Sequence, residues 1–325
     1  ELIAGQLIEP QLYGHTTGLS PLSVVIAAIF WSWIWGPVGL IVSTPLTLCL
    51  VVAGRHIKAL SLLDILLGDS QVLTMPQRFY QRALSADSAE IIASARLFLK
   101  RKSFATYCDI VLVPALHLAL MDRASGAIDA AQQAKVRDTI VSVIASVDRE
   151  NPPGARRPRL SVLDQANAGQ LLRRQREQMS GRWQGPLAVP AGSVMLCVGL
   201  GTNPDDLATE LLVRILRDQK LDARHVSLED LHGTLPPEAT PGGVAMVFVV
   251  SAFPGEERLR ADSVAADVRR RFAEACLITV FLPGMLLQPA PAMDSISSAD
   301  RAATSFGEAV QICLDLMQER NKDHA

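Results

Sequence analysis

PQLYGHTTGLSPLSVVIAAIFWSWIWGPVGLIVSTPLTLCLVVAG, from Pro10 to Gly54, contains no Asp, Glu, Lys or Arg. A charged side chain at the centre of a bilayer costs a few kcal/mol, so a charge-free run of this length is a physical signal of membrane immersion. A hydrocarbon slab about 30 Å thick needs about 20 apolar residues per helical crossing. The run is long enough for two short passes or one broken one. Ser20-Pro21 opens the first apolar stretch, residues 19–35, with Ser20 as N-cap and Pro21 in the first helical turn. Gly36-Pro37 interrupts it. The second stretch, residues 38–53, is expected to be broken by Pro45. The pattern predicts a re-entrant or tight helical hairpin, and broken backbone at membrane depth must be buried in protein or line a cavity. Trp31, Trp33 and Trp35 are spaced as an interfacial belt, and Arg55 and Lys58 follow the last apolar residues. The positive-inside rule then puts the chain from about residue 55 onward in the cytoplasm.

Outward from this run, the 325 residues suffice for several domains, and the net charge of −2 points to no nucleic-acid partner. The five cysteines, Cys49, Cys108, Cys197, Cys276 and Cys313, are widely spaced with no C-x-x-C pair, as reduced core thiols are. Residues 57–149 show helical periodicity in short segments: 57–67, 76–84, 88–102, 103–122 and a last helix after Gly126-Ala127. That is the pattern of an antiparallel bundle. No His-x-x-x-Glu or Glu-x-x-His pair offers a metal site there. Prolines and a glycine in residues 151–158 mark a boundary. Residues 151–182 carry seven arginines against Asp164 and Glu177. Near a cytoplasmic leaflet such a segment would attract anionic lipid; the alternative is a solvated helix and linker.

After Pro190 the period changes. Short apolar runs at 193–199, 223–228, 244–251 and 277–282 alternate with helical segments at 205–219, 256–275 and 301–320. Continuous apolar strands separated by helices predict a parallel α/β sheet with right-handed crossovers. The fold class is therefore multi-domain: a membrane segment (1–58), a cytoplasmic helical bundle (59–150), a basic linker (151–190) and a Rossmann-like domain (191–325). Ligands of such sheets bind beyond the carboxyl ends of the strands, which makes Gly199, Gly201, Asn203, Ser251 and Gly284 the candidate pocket. The Gly199–Gly201 pair lacks the third glycine of a dinucleotide loop, since Pro204 stands there, and Asp205 and Asp206 would repel a phosphate. Residues 191–325 hold 19 acidic and 12 basic residues, which argues against nucleic acid. No Ser-His-Asp set, activated cysteine or metal cluster is legible, so the sequence predicts no enzyme and no metal.

Two resemblances add to this reading. Ile8-Glu9-Pro10-Gln11-Leu12-Tyr13-Gly14, then Gly18-Leu19-Ser20-Pro21, Trp35-Gly36-Pro37-Val38-Gly39 and Pro45-Leu46 follow one another in the order and spacing of the autoinducer-2 exporter family. The resemblance covers residues 1–58 and implies the carboxyl-terminal end of a multi-spanning bacterial inner-membrane transporter, with further spans upstream. It implies export of a small signalling molecule, in keeping with quorum sensing, or cation/proton exchange as in other members. A third reading, a ligand-sensing module on a membrane anchor, needs no transport at all. The transport-path candidates are Glu9, Pro10, His15, Gly36, Pro37 and Pro45. His15 stands where the family carries Arg. The helical and α/β parts together resemble cobalamin-binding modules, but Thr202-Asn203-Pro204-Asp205 lacks the cobalt-ligating His of that loop. No cofactor is expected. The expected partners are membrane lipids, a small-molecule cargo and further protomers of a homo-oligomer, held together by a regulatory or assembly extension.

Overall fold

A computed structural model describes residues 21–56, 73–85, 88–147, 167–233, 241–252, 258–282 and 299–323. The chain divides into two compact units, Glu1–Leu73 and Thr74–Ala325.

In the first unit, helix α1 (Pro21–Trp35) and helix α2 (Pro37–His56) form a hairpin. At 1.5 Å per residue their 15 and 20 residues span about 22 and 30 Å. Gly36 makes the turn at φ +62°, a left-handed conformation that glycine adopts without steric cost. Pro45 does not break the second helix, contrary to the sequence expectation. α2 runs through it with Pro45 on an exposed face, so the missing N–H interrupts one rung of the ladder without ending the helix.

In the second unit, α3 (Met75–Leu84), α4 (Ser88–Leu99), a 21-residue helix over Phe104–Ala124 and α7 (Ala130–Val147) form a helical layer. The long helix comprises α5 (Phe104–Tyr107), a π-helical turn (Cys108–Leu112) and α6 (Val113–Ala124). Pro114 accounts for the π turn: it donates no hydrogen bond and its ring crowds the carbonyl four residues back, so the backbone widens and Val113 bonds back to Cys108. This helix is apolar and long enough to cross a bilayer, the one such among the described residues, yet half of it is buried within its own unit. The Tyr80 hydroxyl donates to Asp122 at 2.6 Å and ties α3 to α6.

Residues predicted as linker contain α8 (Ala168–Ser180). The α/β part follows: β1 (Val194–Gly199), α9 (Asn203–Asp218), β2 (Asp222–Val226), the short α10 (Leu228–His232), β3 (Val244–Ser251), α11 (Arg258–Arg271), β4 (Cys276–Phe281), β5 (Arg301–Ala303) and α12 (Phe306–Asp323). All strands are parallel, in the order β2-β1-β3-β4-β5. The predicted strands stand where the apolar runs put them, apart from one end: β2 stops at Val226 because Ser227 caps α10. The fifth strand was not expected. Residues 301–303 were assigned to the last helix, which in fact begins at Phe306. A three-residue edge strand that opens on an exposed Arg301 carries no periodic signal.

Alternation along the strands sorts the core into two faces. Met195, Cys197, Phe248, Val250, Ile278 and Val280 point to one side, into a cluster that also includes Phe79, Leu112, Ile144, Leu172, Leu212 and Phe306. Helical layer, α8, α9, α12 and this face of the sheet therefore share a single core. Leu196, Val198, Val247, Val249 and Leu277 point to the other side and meet Val264 and Val268 of α11 and Phe272 just after it. The outer edge of β2 is closed by a side chain: the Gln184 amide donates to the His225 carbonyl (2.8 Å) and accepts from the His225 N–H (2.9 Å), as a neighbouring strand would.

Candidate functional site

Three places in the chain carry chemistry worth building from the residues. The first is the seam of the hairpin. The buried residues are Ser23 and Ala27 on α1, and Gly39, Ser43, Thr47 and Val51 on α2. The α2 set recurs every fourth residue, the small-residue stripe that lets two apolar helices approach closely. A Cβ at Gly39 would overlap the carbonyl of Trp31. The Trp31 indole donates to Thr47 Oγ1 (3.1 Å), Thr47 donates to the Ser43 carbonyl (2.7 Å) and Ser43 to the Leu40 carbonyl (2.8 Å). These polar groups thus find partners inside the hairpin, as lipid immersion requires. The opposite faces present Ile29, Phe30, Trp33, Val38 and Ile41 outward. Gly36 and Pro37 form the turn and Pro45 lies on the outward side of α2, so none of these three transport-path candidates enters the seam. Glu9, Pro10 and His15 lie outside the described residues.

The second place is the carboxyl end of the sheet. Strand order reverses between β1 and β3, the switch point where open α/β sheets hold ligands. Gly199 ends β1 and Ser251 ends β3, so the structure brings these two candidates together. Gly201 follows at φ +86°, and Asn203, exposed, is the first residue of α9. Gly284 lies outside the described residues. Among the described residues the crevice is occupied by the protein itself. Asp205, 1% exposed, accepts from the Ala252 N–H (2.8 Å) and from Thr202 Oγ1 (2.5 Å). The carboxylate that the sequence placed in the first turn of α9 is turned into the switch point, where it ties the end of β3 to the β1–α9 loop. A Cβ on Gly199 would crowd Thr209 Oγ1 at 2.8 Å, so that glycine serves helix–strand packing. Beside this loop, Asn203 and Leu207 help line a cavity of about 510 Å³ with Leu116, Gln133, Arg137 and Ile140.

The third place escaped sequence reading. Glu210, in the middle of α9, is fully buried. It accepts from Arg176 of α8, from Arg214 Nε one turn on (3.0 Å) and from His225 Nδ1 of β2 (3.2 Å). Burial alone would raise its pKa, but Arg176, the hydrogen bond from His225 and Arg214 outweigh that and hold it at about 2. Arg173, on the same helix as Arg176, pairs with Asp230 and Glu177. Two of the arginines expected to face solvent or lipid are therefore bound to carboxylates of their own chain. The i, i+4 spacing of Glu210 and Arg214 was visible in the sequence; the burial of the pair was not. Among the described residues there is no cluster of metal-binding side chains.

Comparison with known proteins bears on the first of these places. A sequence model of the family described as "AI-2E family transporter" matches residues 1–59. "AI-2 transport protein TqsA" of Escherichia coli (strain K12) is 38% identical over 68 residues, 21% of this chain and 20% of that protein. A "putative transport protein" of Borreliella burgdorferi is 31% identical over 74 residues, 23% of this chain and 20% of that protein. The "putative transport protein YhhT" of Escherichia coli (strain K12) is 37% identical over 67 residues, 21% and 19%. The chain spans about a fifth of the length of these relatives. The family's members are transporters, not enzymes. The similarity to the AI-2E transporter family is thus confined to the amino-terminal 59 residues, with the charge-free run and the hairpin it folds into.

Proposed function

We propose that this chain is part of an inner-membrane transporter that exports a small signalling molecule of the autoinducer-2 kind. In this reading the hairpin is a packing unit of the transmembrane part, and the chain beyond about residue 55 is a cytoplasmic extension that regulates transport or holds protomers together. The observation that carries it is the family match over residues 1–59, together with a hairpin whose polar side chains are satisfied internally while its outer faces are apolar. Glu9, Pro10 and His15 remain candidates for the transport path, and Glu9 is the group that a proton-coupled cycle would use.

Everted membrane vesicles containing the full-length transporter test this, with autoinducer-2 uptake and sodium-driven proton movement read in the same preparation. Uptake that is unchanged by Glu9→Gln supports export of a neutral cargo. Proton movement that disappears in Glu9→Gln replaces it with cation/proton exchange. If neither activity appears, while deletion of residues 74–325 alone changes the cell's response, the chain is a sensing module on an anchor and the transport reading fails.

A further inference from the structure

A second cleft, remote from the carboxyl end of the sheet, is built of positive charge. It has a volume of about 540 Å³ and lies where α4, the Ser103–Phe104 corner, the end of α7 and α9 meet. Arg96, Lys100, Lys102 and Arg214 line it, against Asp218 as the one carboxylate among the lining residues. Its walls are apolar, formed by Leu99, Phe104 and Ile144. Low-dielectric walls around charges of one sign focus the field into the opening.

Arg214 makes this more than a patch of surface lysines. Its side chain is 7% exposed and fixed in place, with Nε on Glu210 (3.0 Å) and Nη2 on the Leu172 carbonyl (3.4 Å). Glu210 is shared between Arg214, Arg176 and His225, so one buried carboxylate stands against two buried guanidinium groups. Arg96 reaches across the rim to the Ser146 carbonyl (3.5 Å) and braces α4 against α7. A held cation at the floor, Arg96, Lys100 and Lys102 around the rim and apolar walls suit a ligand with several negative charges at one end and an organic group at the other.

We infer that this cleft binds a small phosphorylated molecule of nucleotide size, carrying two or more phosphates. Volumes of about 300 to 1,000 Å³ are usual for such ligands. The phosphates would sit among Lys100, Lys102 and Arg96 above Arg214, and the organic group against Phe104 and Leu99. The site is independent of what the transporter carries, and of the switch point closed by Asp205.

The test is calorimetric titration of the whole chain in detergent micelles with ADP and, separately, inorganic triphosphate. A double variant, Lys100→Glu with Lys102→Glu, is the comparison. Both residues are exposed, so the thermal midpoint should not move, whereas removing Arg214 would also damage the core. Binding of ADP that weakens at least tenfold in the double variant, and falls steeply between 50 and 300 mM salt as a shortening of the Debye length by about 2.4-fold implies, supports the site. A third arm uses vesicles containing a phosphoinositide. If these bind in a Lys100- and Lys102-dependent way while ADP does not, the phosphates come from a lipid headgroup at the same cleft. Absence of binding in all three arms, or binding that the double variant leaves unchanged, overturns the inference.

Discussion

The hairpin and the unit from Thr74 onward both bury polar groups, by opposite means. Residues 21–53 contain no charged side chain, and their buried polar atoms are hydroxyls and an indole that bond to one another or to the helix backbone. The second unit buries Glu210 beside Arg176, Arg214 and His225, and Asp205 against a backbone N–H. Where the surroundings are apolar on every side, neutral hydrogen bonds closed within a few turns are the economical solution. Where a unit can assemble several elements around one carboxylate, full charges become tolerable because each is paired. The hairpin's polarity is local and leaves a sequence signal. The charge cluster is assembled from residues far apart in the chain and leaves almost none.

The comparison is broken most directly at Glu210. Glu210→Ala would leave Arg176 and Arg214 buried without their shared carboxylate. A loss of about 3–5 kcal/mol is expected in urea unfolding of the second unit, enough to remove most of the stability of an ordinary domain. Acid acts on the same group. Its folded pKa of about 2 lies below the ordinary 4.5, so its contribution is complete above pH 4.5 and is lost as the pH falls toward 2. Unfolding free energy followed between pH 6 and pH 2 should therefore decline in that window, and Glu210→Gln should flatten the decline.

At the hairpin the largest effect is steric. Gly39→Leu must push α2 away from the Trp31 carbonyl, and a cost of roughly 1–3 kcal/mol is expected from such overpacking. Resistance of the hairpin to sodium dodecyl sulfate, read by tryptophan fluorescence, should fall, and a variant as resistant as the parent would show that the helices do not pack closely there.

A smaller effect is expected at the π turn. Asp109 accepts from the Phe306 N–H (2.8 Å) and the Gly307 N–H (3.0 Å), capping α12 from a helix almost 200 positions earlier in the chain. Asp109→Ala should cost about 1–2 kcal/mol, as loss of a helix cap does. Faster hydrogen exchange at Phe306 and Gly307, with α9 unaffected, would distinguish loss of the cap from general loosening. The smallest change is Trp31→Phe, which removes the indole donor to Thr47. Interhelical hydrogen bonds of this kind average about 0.6 kcal/mol, so only a slight loss of detergent resistance is expected.

The balance of legible and illegible features follows the same physics. Four strands could be placed from runs such as Val194–Gly199 because a strand covered on both faces must be apolar throughout. The fifth, at 301–303, was not legible, since an edge strand of three residues needs neither apolarity nor alternation. The Gly36 turn was readable because positive φ selects glycine, while the continuity of α2 through Pro45 was not, because one lost hydrogen bond on an exposed face can be absorbed. Of the candidate pocket, Gly199 and Ser251 do converge, but no property of the sequence said that Asp205 would turn inward to Ala252 and fill the space.

What the sequence by itself determined is the solvent of each part. The absence of charge from Pro10 to Gly54 points to a membrane environment, and the change from helical periodicity to short continuous apolar runs separated by helical segments sets helices before Pro190 and a parallel sheet after it. What only the tertiary structure decided is which charges are buried together. Arg176, Glu210, Arg214 and His225 read as ordinary surface residues one at a time. They become one buried cluster, and Arg214 the floor of a basic cleft, only because α8, α9 and β2 pack against each other. Burial and pairing depend on neighbours distant in the chain, whereas the choice between water and lipid is imposed on each residue in turn.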